Sequence, residues 1–123
     1  MAKTRKTLSP KRGDVYLVNF DPALGSEIKK TRPAVILQND VANQYSPVSI
    51  VAAISSKFDG RLYPTEVGIH PPEGGLSNPS VVQLNQIRTI DTRRLTERLG
   101  QLKPTTIEKV NQALQISLGL LDA

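Results

Sequence analysis

Apolar residues along this chain recur at strand spacing through most of its length and at helix spacing only near the end. Residues 13–20 (GDVYLVNF) are rich in Val, Tyr, Leu and Phe and lie between Gly13 and the Asp21, Pro22 breaker, which predicts a first strand. The stretch DPALGSEIKKT mixes Pro, Gly, Ser and charges without period, so it is expected to form an exposed loop with a basic distal end. Residues 33–38 (PAVILQ) and 48–55 (VSIVAAIS) are almost continuously apolar, as strands buried on both faces are. Between them, NDVANQYSP is dense in turn formers. A fourth strand is expected near residues 64–70, followed by the breaker-rich HPPEGGLSNP, and a fifth over residues 80–90 (SVVQLNQIRTI). Short strands so closely spaced predict a compact antiparallel barrel.

The period then changes. Ile107, Val110, Leu114, Leu118 and Leu121 follow the three-and-four spacing of one helix face. The helix starts either with Pro104 at its first position or with Thr105 as a cap backed by Glu108. Ala113, Ile116 and Leu120 widen the apolar stripe. A stripe this broad has two explanations, a partner subunit over its far side or a helix sunk deeply in its own core.

At 123 residues the chain has the size of one domain, with enough buried surface for one core. No stretch approaches the roughly 18 apolar residues of a membrane span. The opening MAKTRKTLSP lacks the apolar centre of a secretory signal, so the expected location is cytoplasmic. The absence of cysteine excludes disulfides, thiolate catalysis and thiolate metal sites. The formal net charge of +5 suggests nucleic acid, yet residues 1–12 hold five of the 16 basic groups and no acid, which leaves 11 basic against 11 acidic side chains in the remainder. The basic excess belongs to a tail, and residues 1–10 are expected to form a solvated, disordered extension to a domain over residues 11–123.

Candidate chemistry is sparse. There is one histidine, and the sequence has no paired-carboxylate or metal-ligand spacing. His70 sits at the edge of a breaker-rich loop and reads as a surface residue. For phosphate chemistry there remain arginine and hydroxyls. A guanidinium stays charged and offers five donors in a planar fork, so it can grip a phosphate and stabilise charge that builds on it. Arg32 lies where the basic loop meets the second strand, and no acid intervenes between Glu27 and Asp40. Ser55 and Ser56 end the third strand, and alternation lets only one of them face a given groove.

Five ordered segments, KRGDVY at 11–16, GSE at 25–27, TRPAVILQND at 31–40, SPVSIVAAIS at 46–55 and NQIRTIDTRRLTERLG at 85–100, together resemble the MazF/PemK family of mRNA interferases. The resemblance runs from Lys11 to the end of the C-terminal helix. It implies an α+β fold, a small SH3-like antiparallel β-barrel with a C-terminal α-helix, and a homodimer formed partly through that helix. It further implies metal-independent and cofactor-free cleavage of single-stranded RNA by 2′-hydroxyl attack, leaving 2′,3′-cyclic phosphate and 5′-hydroxyl ends. A cognate MazE-like antitoxin is the implied partner, with DNA binding by the joint complex. The family's essential arginine matches Arg32, and its strand-end hydroxyl, usually threonine, matches Ser55. Serine keeps the donor and loses the methyl that stiffens the rotamer. RNA-binding positions of the family match Glu27, Asn39 and Gln86, and local charge adds Lys29 and Lys30. Arginine, with a pKa above about 12, is a poor base at neutral pH, so Arg32 is assigned to charge stabilisation and the base is left open.

Two other readings share the barrel. A CcdB-like gyrase poison relies on a C-terminal tryptophan, and this chain has none; a non-catalytic binding module needs an aromatic groove, and only three Tyr and two Phe are present.

Overall fold

The computed structural model describes residues 9–57 and 59–123. The expected tail, residues 1–10, lies almost wholly outside them.

The strands are β1 (Asp14–Asn19), β2 (Thr31–Ile36), β3 (Val48–Ser55), β4 (Glu66–Ile69), β5 (Ser80–Asp91) and β6 (Leu95–Gln101), with a short helix α1 (Asp40–Tyr45) and a C-terminal helix α2 (Pro104–Ser117). They form one antiparallel sheet in the order β4-β5-β3-β2-β1-β6. The α+β class and the barrel-like antiparallel sheet are as expected, although β4 and β6 remain edges and the sheet does not close.

Strand alternation sends apolar side chains to both faces. Val15, Val35, Ala52, Ile54, Val67, Ile69, Val82 and Leu84 form one cluster, onto which α2 packs Val110 and Ala113, with Ile107 and Leu114 at the margin. Val18, Phe20, Ala34, Ile36, Val51, Ala53 and Ile90 form the second, and Ile28 of the β1–β2 loop packs against it. Complete burial of a side chain such as Phe20 stabilises the fold by about 2–3 kcal/mol. The loop is therefore part of the cover of a core, although most of its side chains face solvent.

Pro104 occupies the first turn of α2 with Lys103 at the cap position, which decides between the two expected starts. The helix ends earlier than its stripe suggested. Gly119 takes φ +77°, its N–H donating to the Ile116 carbonyl and that of Leu120 to Gln115, a pattern that stops a helix and favours glycine. Leu118, Leu120 and Leu121 thus lie beyond α2 and are exposed by 54%, 72% and 41%.

Two elements had no expectation. Strand β6 pairs only with β1 and carries mostly exposed side chains. Helix α1 is capped by Asn39, whose side chain accepts from the Ala42 N–H at 2.8 Å. Buried Asn43 anchors it, donating to the Gln38 carbonyl and accepting from Ser49 Oγ and Gln38 Nε2.

Candidate active site

The β2–β3 register pairs Ala34 with Ala53, Val35 with Ala52 and Ile36 with Val51. Continued two residues, it sets Arg32 opposite Ser55 on the same face of the sheet, the face of Ala34 and Ala53. The ladder itself stops at Ala34 and Ala53, beside Pro33, which has no N–H to donate. Each strand remains held by its outer neighbour, since Thr31 and Arg32 pair with Asn19 and Val18, and Ser55 pairs with Val81. Arg32 and Ser55 thus sit two residues past the last paired positions of this ladder, each on a strand still held by its outer neighbour.

The local bonds orient both groups. Arg32 Nε donates to the Lys29 carbonyl at 2.9 Å, which leaves the two terminal nitrogens to face a phosphate. Ser55 is only 7% exposed, and its Oγ accepts from the Lys57 N–H at 3.1 Å, leaving the O–H to donate. Backbone geometry sets the Lys29 carbonyl. Lys30 adopts φ +69°, in the left-handed region, and is held by its N–H to Asp21 Oδ1 at 2.8 Å and by its carbonyl to the Phe20 N–H at 2.9 Å.

The remaining expected site residues divide between the β1–β2 loop and elsewhere. Lys29 and Lys30 are exposed in the loop leading to Arg32. Glu27 Oε1 accepts from the Leu24 N–H at 2.8 Å and closes the loop's own turn. Gln86 reaches the same loop, its Oε1 accepting from the Ile28 N–H at 3.2 Å and its Nε2 donating to the Ser26 carbonyl at 3.4 Å. Asn39 lies past the opposite end of β2, about 13 Å or more from Arg32 at strand rise. His70 is exposed just after β4.

Sequence reasoning missed a cleft of about 470 Å³ beside the hydroxyl, lined by Lys57, Asp59, Arg61, Tyr63, Glu66, Val81 and Gln83. It continues the same face, since Val81 pairs with Ser55. Gln83 Oε1, in its wall, is the one buried side-chain polar atom without a partner among the described residues. The basic and aromatic residues of KFDGRLYP were the available signal. Lys57 and Arg61 stand in this cleft beside Asp59 and Glu66, with Arg61 3.5 Å from Asp59, while Lys29 and Lys30 bring positive charge to the loop before Arg32. Among the described residues, no three His, Cys, Asp or Glu side chains gather as a metal site.

The profile of PemK-like, MazF-like toxins of type II toxin-antitoxin systems matches residues 11–118. An endoribonuclease, EndoA, of Bacillus subtilis (strain 168) is 46% identical over 112 residues, which cover 91% of this chain and 97% of that protein. The crystal structure of MazF from Deinococcus radiodurans superposes with a TM-score of 0.78 at 29% identity, covering 90% of this chain and 97% of that one. A mycobacterial endoribonuclease solved in complex with its cognate antitoxin gives 0.76 at 26% identity, covering 93% of this chain and 99% of that one. By a profile match along nearly the whole described fold and by this level of identity, the chain belongs to the PemK-like, MazF-like toxin family of type II toxin-antitoxin systems.

Proposed function

We propose that this chain is an endoribonuclease toxin that cuts single-stranded mRNA at short sequence motifs without a metal, with Arg32 and Ser55 at the reacting phosphate. The observation that carries the reading is the β2–β3 register, which brings Arg32 and Ser55 to the same end and face of the sheet, in a chain whose relatives are named endoribonucleases. The ribose 2′-hydroxyl attacks the adjacent phosphorus while the bond to the 5′-oxygen breaks, giving a 2′,3′-cyclic phosphate and a 5′-hydroxyl. The terminal nitrogens of Arg32 and the Ser55 O–H donate to the phosphoryl oxygens, whose charge grows in the transition state. DNA lacks the attacking hydroxyl and is not cut.

Lys29 and Lys30 supply phosphate contacts that add affinity without base preference. Glu27, Asn39 and the cleft lined by Tyr63 and Gln83 meet bases of the strand on either side of the reacting phosphate. The toxin works as a homodimer, formed partly through the C-terminal helix and the exposed leucines that follow it. A cognate antitoxin covers the basic face and inhibits cleavage, and the joint complex binds DNA. No helix among the described residues is long and apolar enough to cross a membrane, and the site of action is the cytoplasm, where the substrate is.

Incubation with a long RNA in EDTA is expected to give discrete fragments with cyclic phosphate ends, and Arg32→Ala is expected to abolish them while the thermal transition persists. Wild-type cleavage by Arg32→Ala refutes the assignment. The same assay separates the gyrase-poison and binding-module readings, neither of which expects RNA to be cut.

A further inference from the structure

The β1–β2 loop, which carries Glu27, Lys29 and Lys30 into Arg32, is fastened by side chains of β5 at Ser26, Ile28 and Phe20, while Arg94, just after β5, donates to the Asn19 and Asp21 carbonyls at the loop's start. Ala52 on β3 pairs with Ile87, but the next residue, Ala53, pairs with Gln83, so Leu84, Asn85 and Gln86 have no partner on β3. A bulge of this kind twists a strand locally and re-aims its side chains. Here it delivers Gln86 to the loop, where its amide grips the backbone on both sides of Glu27, at the Ser26 carbonyl and the Ile28 N–H. Two residues further along the same face, Arg88 donates to the Phe20 carbonyl at 2.7 Å, and its guanidinium carbon lies 6.0 Å from the centre of the Phe20 ring.

We infer that Gln86 and Arg88 are positioning residues, a two-point latch that fixes the loop to β5 and, through the Lys29 carbonyl, fixes the reacting end of Arg32. The inference rests on the proposed role of Arg32 and moves Gln86 from the RNA to the protein's own loop.

An isolated loop of this length samples many backbone states, and a guanidinium tethered to it by its Nε samples them too. Catalytic electrostatics require the donors to be in place before charge develops, and displacement of about 1 Å can cost on the order of a hundredfold in rate. Both atoms of the Gln86 amide and one terminal nitrogen of Arg88 are spent on loop backbone. They suppress that sampling from a strand whose pairing with β3 resumes immediately after the bulge.

The test uses the full chain and an RNA that the wild type cuts, with steady-state kinetics, amide hydrogen exchange over residues 22–30 and thermal melting measured in parallel. For Gln86→Ala, kcat is expected to fall about tenfold or more while KM stays within about twofold, because the loss is of transition-state alignment. Exchange at the Ile28 amide should quicken about fivefold or more, as the loss of one hydrogen-bond acceptor predicts. Arg88→Lys, which keeps a donor for the Phe20 carbonyl, is expected to retain more kcat than Arg88→Ala. A raised KM with kcat intact overturns the inference, because that result makes Gln86 an RNA contact. Unchanged loop exchange in Gln86→Ala overturns it equally, even if Arg32→Ala is inactive and the proposed active centre stands. If instead Arg32→Ala cleaves normally, the active centre fails, and the positioning role fails with it even where the loop is freed.

Discussion

Replacing Ser55 by alanine removes two interactions that the structure separates cleanly. The first is the O–H proposed to donate to the reacting phosphate beside Arg32. Loss of one pre-placed donor to a developing oxyanion lowers kcat on the order of 10²- to 10³-fold. The second is the acceptor for the Lys57 N–H, now at 3.1 Å. Its loss costs about 1 kcal/mol, which shifts Tm by about 4 °C in a domain of this size. Ser55→Thr keeps both functions and adds the methyl that narrows the side chain to fewer rotamers, so it is expected to cleave at least as well as the wild type. The assay is the initial rate of RNA cleavage in EDTA at a temperature well below every variant's melting transition, with melting followed by circular dichroism. If Ser55→Ala cuts within about a factor of two of the wild type, the hydroxyl has no part in the chemistry. A rate loss no larger than the unfolded fraction also refutes the reasoning, since it makes Ser55 structural alone.

Three further outcomes are expected. Lys30→Gly relieves a left-handed φ of +69° and is expected to stabilise the fold by up to about 1 kcal/mol while weakening RNA binding at low salt, read by melting and by a salt titration of affinity. Gly100→Ala places a Cβ 2.6 Å from the Gly74 carbonyl carbon and 2.8 Å from the Gly75 nitrogen. Backbone cannot yield as a side chain can, so the denaturant midpoint is expected to report at least about 2 kcal/mol of lost stability. Burial raises the Tyr16 pKa above its ordinary 10.0, and the Asp14 charge raises it further against an opposing effect of Arg98. The neutral phenol is therefore favoured in the fold, so its contribution is complete below pH 10.0 and is lost as pH rises through the higher folded value. Tyr16→Phe is expected to flatten that alkaline fall in Tm, and an identical fall in the variant assigns it to other groups.

What local sequence could determine was whatever a hydrophobic period or a breaker encodes. Strands β1 to β5 and helix α2 each bury one or two apolar faces, and burial leaves its period in the residues, while the basic loop before Arg32 is marked by its breakers and lack of period. Strand β6 leaves no such period, because an edge strand such as LTERLGQ pairs on one side and exposes most of its side chains. Helix α1 was equally silent, being only six residues long and held by a cap and a buried asparagine network. Motif resemblance named Arg32 and Ser55, but no local rule joins residues so far apart in sequence. Their placement at one end and on one face of the sheet is a matter of β2–β3 register, continued two residues past the last paired positions. Gln86 makes the same point in reverse. Its position in the resemblance implied a contact with RNA, and a bulge, invisible as a pattern in SVVQLNQIRTI, accompanies the bonds of its amide to the protein's own loop. Sequence thus set which segments are strands and which groups are chemically able, whereas pairing across the sheet, a non-local balance of hydrogen bonds and burial, decided which of those groups face one another.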